Sequence, residues 1–413
     1  SLLQQALVFL PADSFLEQSP MFIDLTPEQH ALRIRIRDYF QSLLSDDDRR
    51  RLRGEEGGEA FRRIVGQMGR DGWLAVGWPK EHGGQGYSAT EQLIFFEEAN
   101  IAGAPLPFVT ISTVAPALME SGTEEQKRAF LPGMATGEII FAIGYSEPSA
   151  GSDLAVLRTT ATPVGDPLSH FLVNGNKLWT SGAHDADYVW LAARTSTELP
   201  RHKGVSIVIV DTRADGFSYT LIPTTANPTA ATYYDNVEVP ANRLVGQLHG
   251  GWKLITAQLN HERLGLGSWA DKIFGPYTRV LQWAKSRDEF GNRAMDKPWV
   301  RAALAECYAR LEAMRLINFR IAQDLEQGHM DVSLASVTKV YGADTSLDVL
   351  RRLVEVVGNS GLVRAGSAAE RLLGELDYET RGAPMLTFGG GTNEIQRELI
   401  AQFGLQMPRP GRT

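Results

Sequence analysis

The chain has 413 residues, of which 43% are hydrophobic, and this length predicts two or three structural units rather than one small core. Its formal net charge is −8, and no run of Lys and Arg is long enough to follow a phosphate backbone, which argues against nucleic acid as a partner. The single cysteine, Cys307, excludes an intrachain disulfide and falls in an apolar helical pattern that indicates a core role. No apolar run reaches the length of a membrane span, and we identify no metal site. We therefore expect a cytoplasmic globular protein.

The first third of the chain has the pattern of an α-helical domain. Residues 1–22 contain one short apolar piece without the basic start of a secretion signal, so we interpret them as an N-terminal extension. Thr26, Pro27 and Gln29 form a capping box with proline at the first helical position, followed by apolar residues at helical spacing. Two further capping boxes are Ser88 with Glu91 and Thr123 with Gln126. The helical domain is predicted to span residues 23–138.

Residues 139–247 have the pattern of a β domain. Short β-branched and aromatic runs alternate with turn residues, at intervals too short to contain crossover helices, so we expect antiparallel pairing. The predicted strands are Leu157–Thr162, His170–Val173, Lys177–Thr180, Tyr188–Ala193, Val205–Val210, Phe217–Ile222 and Thr232–Val239. Asn174 and Gly175 stand between two of these runs and predict a type I′ hairpin.

Residues 248–413 return to helical periodicity and predict a C-terminal helical bundle, which makes the chain an α+β protein. The predicted helices are Trp252–Ser286, Pro298–Gln327, Ser333–Val357 and Thr392–Phe403. In the first of them Glu262 stands within an apolar stripe. A carboxylate among apolar neighbours has a raised pKa and suits a general base. The alternatives are a structural ion pair with a cation such as Arg263, or a side chain at the edge of the stripe.

The nine residues from Tyr145 to Asp153, YSEPSAGSD, have the composition of a binding loop, because Pro148 stiffens a turn and Gly151 permits close backbone approach. An ordinary turn has the same composition. As a string, however, they closely resemble the signature of the acyl-CoA dehydrogenases, flavoenzymes that introduce an α,β double bond into acyl-CoA thioesters. Further motifs that resemble this family follow in the family's order: KLWTSGA at Lys177–Ala183, LNHERLGL at Leu259–Leu266, RDEFG at Arg287–Gly291 and FGGGTNEIQ at Phe388–Gln396.

The resemblance covers residues 25–403 and implies a fold, a cofactor and site residues. The implied fold has an N-terminal helical domain, a middle antiparallel β-barrel domain and a C-terminal four-helix-bundle domain, and the implied cofactor is FAD. The implied FAD-binding positions are Tyr145, Ser146, Trp179, Thr180, Ser181, Arg287, Phe290 and Thr392. The implied substrate-binding positions are Ser152, in the acyl-CoA channel, and Arg263. By pattern alone, Trp179 could be a packed strand aromatic, Arg287 a helix ending and Thr392 an ordinary N-cap.

The family carries its catalytic base at one of two positions. Many members have a glutamate just before the Gly-Thr pair of the C-terminal motif, but this chain has Gly390 there. Others have the glutamate immediately before an arginine on the helix after the β domain, and Glu262 followed by Arg263 matches that pattern. The resemblance therefore implies Glu262 as the base. We interpret Glu394 as a charge at the start of a helix.

The resemblance also implies partners: an acyl-CoA substrate, an electron-transfer flavoprotein or similar acceptor, and assembly into a homotetramer or an α2β2 heterotetramer. Where the family often has Gln-x-x-Gly-Gly to hold FAD across a dimer, this chain has Glu355–Asn359. The chain is similar to the catalytic subunit of actinobacterial heterotetramers that degrade steroid (cholesterol) side chains, which favours a bulky or branched acyl group. The alternatives are an acyl-CoA oxidase and a non-catalytic subunit that completes a neighbour's flavin site.

Overall fold

The computed structural model describes residues 24–53, 57–258, 270–288, 290–329, 331–364, 366–367 and 372–408. These residues form N-terminal helices, a middle β-sheet and long C-terminal helices, which confirms the predicted α+β class and its order. The proposed N-terminal extension and residues 259–269, which include Glu262 and Arg263, lie outside the described residues. Within the described ranges, no helix is both long and apolar enough to cross a membrane.

Three of the N-terminal helices, α1, α4 and α6, begin at the predicted caps. They are α1 (Pro27–Leu43), α2 (Asp46–Arg51), α3 (Gly58–Arg70), α4 (Ala89–Ala102), α5 (Ala115–Ser121) and α6 (Glu124–Thr136). Before α1, the Thr26 hydroxyl accepts a hydrogen bond from Gln29 N–H at 3.2 Å, and Gln29 Oε1 accepts one from Thr26 N–H at 3.0 Å. The same reciprocal box forms at Ser88 and at Thr123. Because each box satisfies two backbone donors, these helix starts are set by local sequence.

The middle of the chain forms one eight-stranded sheet. Its strands are β1 (Phe141–Gly144), β2 (Thr160–Val164), β3 (His170–Lys177), β4 (Tyr188–Arg194), β5 (Val205–Asp211), β6 (Phe217–Ile222), β7 (Thr229–Pro240) and β8 (Leu244–Val245). The order is β6-β7-β3-β2-β4-β5-β8, with β1 paired to β4. Most pairs are antiparallel, as expected, but β1 runs parallel to β4, and β2 meets β4 in parallel at Thr160. The sheet is therefore mixed, because the intervening β2 and β3 supply the long connection that a parallel pair needs.

The prediction of a hairpin at Asn174 and Gly175 is wrong. Both residues lie inside β3, where the register with β7 shifts as at a β-bulge. Gly175 has a φ of +138°, and a Cβ there would lie 2.7 Å from Thr159 Cα. The side chain of Asn174 pairs with Asn236 on the neighbouring strand instead of stabilising a turn. The glycine permits a bulge and a close strand approach, which local sequence does not distinguish from a hairpin turn.

The C-terminal part is helical, as predicted. Its helices are residues 251–258, α7 (Phe274–Lys285), α8 (Pro298–Glu326), α9 (Val332–Val357), α10 (Glu375–Gly382) and α11 (Asn393–Leu399). The long helices α8 and α9 pack side by side, with Leu311 and Leu353 fully buried in their shared core. Both helices agree with the predicted ends to within one residue. The short helix α10 was not predicted, because its eight residues are mostly polar and carry little apolar periodicity.

A buried charge cluster joins α4 to the C-terminal helices. Asp271 is fully buried and accepts a hydrogen bond from Asn318 Nδ2 at 3.3 Å. Burial raises the pKa of Asp271 well above its ordinary value, and the nearby Glu97 carboxylate raises it further. Burial also raises the pKa of Glu97 to about 7, against the opposing effect of nearby arginines. Arg315 of α8 lies 3.9 Å from Glu97 of α4. The turn at residues 270–273, which directly follows residues 259–269, also packs against α4.

Candidate functional site

Two of the predicted motifs meet where β1 and β3 end. The main-chain oxygen of Ser146 accepts a hydrogen bond from Leu178 N–H at 2.8 Å, and Lys177 Nζ donates to the main-chain oxygen of Tyr145 at 3.0 Å. The loop that begins at Tyr145, here called the signature loop (Tyr145–Asp153), therefore lies beside the turn after β3. The predicted positions that this arrangement brings together are Tyr145, Ser146, Trp179, Thr180 and Ser181.

A buried ion pair between Glu147 and Lys177 anchors the signature loop to β3. The side chain of Lys177 is fully buried, and its Nζ lies 2.8 Å from Glu147 Oε1. The backbone N–H groups of Arg158 and Thr159 donate to the same carboxylate. Burial lowers the pKa of Lys177 to about 8, against the opposing effect of Glu147. Burial alone would raise the pKa of Glu147, but Lys177 and the two N–H groups hold it below its ordinary value.

Trp179 is exposed and has a strained backbone. It exposes 56% of its surface and has a φ of +63°, in the left-handed region. That conformation costs a bulky residue roughly 1–2 kcal/mol, and such strain persists mainly at functional sites. The exposure excludes the alternative of a strand aromatic packed among its neighbours. The indole is held where a planar ligand or another chain can reach it.

The two hydroxyl residues after Trp179 face in different directions. Thr180 is fully buried, its N–H donates to Ala230 O at 2.9 Å, and its hydroxyl lies 3.3 Å from the Thr232 hydroxyl. Ser181 is exposed, and its hydroxyl lies 3.0 Å from the Thr229 hydroxyl. Ser181 can therefore present a hydroxyl to a ligand, whereas Thr180 holds the turn onto β7.

The signature loop is also tied to the helix that leads toward Glu262. The hydroxyl of Tyr145 donates to Gln258 Oε1 and accepts a hydrogen bond from Trp190 Nε1 at 3.2 Å. Gln258 is only 1% exposed, and among the described residues its Nε2 has no hydrogen-bond partner. Gln258 stands four residues before Glu262. The structure therefore places the chain just before the predicted base against the signature loop.

Three further predicted positions lie on exposed loops. Ser152 lies in the exposed part of the signature loop, after Gly151, where a Cβ would meet no atom within 4 Å. Arg287 and Phe290 follow α7, and Phe290 is 80% exposed. The Arg287 guanidinium donates to Gly291 O at 2.5 Å. The described hydrogen bonds of this second loop stay within the loop, so nothing described joins it to the Tyr145–Ser181 site of the same chain.

The C-terminal motif forms a loop of three glycines, here called the triple-glycine loop (Gly389–Gly391), followed by Thr392. The Thr392 hydroxyl accepts a hydrogen bond from Ile395 N–H at 3.2 Å, as an N-cap does. Lys339 of α9 is 6% exposed, and its Nζ donates to Thr387 O at 3.2 Å and to Asn393 Oδ1 at 2.8 Å. Burial lowers the pKa of Lys339 to about 8, although nearby acidic side chains oppose this. One buried cation thus contacts both sides of the loop.

Glu355 lies at the edge of a mixed-charge cavity between α8 and α9. The cavity has a volume of about 280 Å³ and is lined by Glu306, Cys307, Arg310, Asp348, Val349, Arg351, Arg352 and Glu355. Glu355 Oε2 is 3.7 Å from Arg352, which also lies 3.6 Å from Glu306. Arg310 lies 3.4 Å from Asp348. These arginines therefore already face carboxylates of their own chain.

Three family models match this chain in the order of its three parts. The N-terminal domain of acyl-CoA dehydrogenase matches residues 26–138, the middle domain matches residues 142–237, and the C-terminal domain matches residues 249–405. The chain belongs to the acyl-CoA dehydrogenase family. It is therefore an oxidoreductase that acts on acyl-CoA.

Individual acyl-CoA dehydrogenases resemble this chain over almost its whole length. Acyl-CoA dehydrogenase FadE26 of Mycobacterium tuberculosis is 48% identical, covering 95% of this chain and 100% of the relative. FadE29 of the same organism is 47% identical, covering 94% and 99%. Among solved structures, the Tcur3481-Tcur3483 steroid ACAD has a TM-score of 0.89 at 47% identity, covering 94% of this chain and 100% of that chain. The ChsE4-ChsE5 complex of M. tuberculosis has a TM-score of 0.87 at 47% identity with the same coverage.

Several residues that organise this acyl-CoA dehydrogenase site lie at positions to which sequence patterns gave no role. They are Glu147, Lys177, Gln258 and Lys339. A signal existed for Lys177, because it carries a charge at the end of a strand whose alternate residues Phe171 and Val173 are buried. The other three act through contacts with distant segments, which local patterns do not contain.

Proposed function

We propose that this acyl-CoA dehydrogenase uses FAD to introduce an α,β double bond into an acyl-CoA thioester, with Glu262 as the general base. The observation that carries the proposal is the exposed, strained Trp179 between the signature loop and Ser181. An aromatic face and an exposed hydroxyl at the end of a sheet suit the ring and the polar edge of a flavin. FAD, when bound, would accept the hydride equivalent that leaves the β-carbon.

The residues proposed to hold FAD fall into two groups. In the first group, Tyr145 and Ser146 would border the ring through the main chain and the Ser146 hydroxyl, Trp179 would lie against it, and Ser181 would bond its edge. Thr180 has a supporting role, because its hydroxyl and N–H are used within the sheet. The second group is Arg287, Phe290 and Thr392. Arg287 and Phe290 are exposed on a separate loop, which suits contact with the cofactor of a neighbouring subunit.

Glu262 is proposed to remove the α-proton of the bound thioester. Gly390 has no side chain to accept a proton, so the position that many family members use for the base is not available. A helix that kept its period past Gln258 would carry residue 262 on the same face as Gln258, which contacts Tyr145. Thioester polarisation acidifies the α-proton, and hydrogen bonds to the thioester oxygen stabilise the developing charge. Arg263 and Ser152 are proposed to contact the acyl-CoA.

We further propose a bulky or branched acyl group, of the steroid side-chain class, and an α2β2 assembly with a related chain. The support is similarity to the steroid ACAD Tcur3481-Tcur3483 and to the ChsE4-ChsE5 complex. The cavity beside Glu355 agrees with this assembly. Its arginines already face carboxylates, so they are poor partners for the pyrophosphate of a neighbouring subunit's FAD. The proposed electron acceptor is an electron-transfer flavoprotein.

The test compares Glu262→Gln with Glu394→Gln, both purified with FAD and with the co-expressed neighbouring subunit. Steroidal, branched and straight-chain acyl-CoAs are added without oxygen, and the loss of flavin absorbance is followed. We expect Glu262→Gln to slow this loss by at least about 10³-fold and Glu394→Gln to leave it within about twofold, since only the first removes a general base. A wild-type rate in Glu262→Gln overturns the assignment of the base. Peroxide release in air with wild-type protein would indicate an oxidase instead.

A further inference from the structure

We infer that Lys339 is a positioning residue, whose ammonium group sets the place of the triple-glycine loop and thereby the affinity of the chain for its flavin. Lys339 lies in α9, outside the segments that resemble the family motifs. The inference about flavin rests on the proposed function, whereas the contact between Lys339 and the loop stands on the structure alone.

The triple-glycine loop cannot hold its own shape through side chains. Gly390 and Gly391 have φ values of +68° and +96°, which glycine adopts without strain. A Cβ at Gly391 would lie 2.7 Å from Gln396 Nε2, so the end of that side chain would have to move. Three consecutive glycines carry more conformational freedom in the unfolded chain than any other residues. The ordered loop therefore depends on groups outside it.

Lys339 supplies such a group on both sides of the loop. Its Nζ donates to the main-chain oxygen of Thr387 before the glycines and to the side-chain oxygen of Asn393 after them. Asn393 extends the network, because its Nδ2 donates a hydrogen bond to Asp344 Oδ1 at 3.0 Å, and Asp344 is also on α9. Asp344 in turn lies 2.9 Å from the guanidinium of Arg397 in α11. The loop is thus clamped between two helices by one hydrogen-bonded network.

An ammonium group is suited to this bridge. It has three donors on a compact charge and can bond two acceptors that face it from different directions. Methionine has a side chain of similar length but no donor. Replacing Lys339 by methionine would leave Thr387 O and Asn393 Oδ1 without this partner while filling most of the same space. Lys339→Met therefore tests the hydrogen bonds of Lys339 separately from the packing of its side chain.

The experiment uses the full chain with the co-expressed neighbouring subunit, as Lys339→Met, Asn393→Leu and the double variant. The control is Lys127→Met, which removes a partly buried lysine of α6 that pairs with Glu124. Amide hydrogen exchange of a peptide that spans residues 387–393 is measured in flavin-free protein, and FAD affinity is measured by fluorescence titration. We expect Lys339→Met to speed exchange of this peptide at least about tenfold and to weaken FAD binding by a similar factor. The double variant should lose less than the two single effects combined, because both single variants remove the contact between Lys339 and Asn393. Lys127→Met should change neither quantity.

The possible outcomes test the contact between Lys339 and the loop separately from its effect on FAD affinity. Unchanged exchange of residues 387–393 in Lys339→Met overturns the clamp. Faster exchange with unchanged FAD affinity overturns the role toward flavin. If the wild-type protein does not bind FAD even with the neighbouring subunit co-expressed, the proposed function fails, while hydrogen exchange still decides the clamp. Additive losses in the double variant show that Lys339 and Asn393 act separately, which also contradicts the inference.

Discussion

The hydroxyl of Tyr145 bonds the side-chain amide of Gln258 and so ties the signature loop to the helix that precedes Glu262. Tyr145 follows a strand of the middle sheet, and Gln258 lies more than a hundred residues later on a C-terminal helix. Trp190 donates to the same hydroxyl from β4. The contact joins the part of the chain proposed to border the flavin to the part proposed to carry the base, so the two are positioned together.

Tyr145→Phe tests this link. Loss of the hydroxyl leaves Gln258 Oε1 and Trp190 Nε1 without this partner, which should destabilise the protein by about 1–3 kcal/mol. Because the main-chain contacts near the flavin remain, we expect unchanged FAD content and a lower kcat. Steady-state kinetics and flavin absorbance of the purified protein measure both. The control is Tyr39→Phe, which removes a hydroxyl bonded to Asp71 at 2.8 Å in the N-terminal helices. Equal kcat in the two variants would contradict the link.

The backbone strain at Trp179 predicts that a glycine variant is more stable than an alanine variant, which is the reverse of the usual order. At an ordinary position glycine is less stable than alanine by roughly 0.5–1 kcal/mol. At φ +63° alanine retains the strain and glycine does not, so Trp179→Gly should be more stable than Trp179→Ala by about 1 kcal/mol. Chemical denaturation of the flavin-free proteins measures the difference. The same pair of changes at Ser218, in β6, should give the ordinary order. An ordinary order at both sites would show that Trp179 is unstrained.

The buried pair Glu147–Lys177 predicts strong coupling. Glu147→Gln or Lys177→Met alone leaves one charge buried without its partner and should cost about 3–5 kcal/mol. The double variant should cost less than the sum of the two, as measured by a denaturation cycle. Because the folded-state pKa of Glu147 is lowered, its contribution is present above its ordinary pKa and is lost as pH falls below it. The double variant should therefore lose less stability than wild type between about pH 5 and 3. Additive single costs would exclude the coupling.

Asp271 makes the stability of the protein depend on pH in the direction opposite to that of Glu147. Its folded-state pKa is raised, so the folded protein holds a proton that the unfolded chain releases, and stability falls as pH rises above the ordinary pKa of an aspartate. Asp271→Asn removes this dependence. We expect equal melting temperatures for variant and wild type near pH 4 and a higher one for the variant at pH 8. Asp47→Asn, on the exposed surface of α2, is the matched control. A variant less stable than wild type at pH 8 would show that the ionised carboxylate stabilises this cluster.

Short-range signals predicted much of the fold correctly. The three capping boxes set helix starts because their hydrogen bonds join residues three apart. Long periodic stretches predicted α8 and α9 because a continuous apolar stripe requires a helix. The short-range turn signal at Asn174 and Gly175 wrongly predicted a hairpin, since the bulge there depends on Thr159 and on the neighbouring strand. Short-range signals also did not predict the parallel pairing of β1 with β4, because pairing direction depends on which strands meet.

The sequence by itself determined the family, the order of its three parts and the residue types available for chemistry, since the motifs are strings of neighbouring residues. It also determined that Gly390 cannot be a base, because glycine has no side chain. Only the tertiary structure decided which of those residues face outward: Trp179 and Ser181 are exposed, whereas Thr180 is buried. It alone revealed the contacts of Lys177, Gln258 and Lys339. The reason is physical, because those contacts join segments 30 to more than 100 residues apart, and their geometry exists only once the chain has packed.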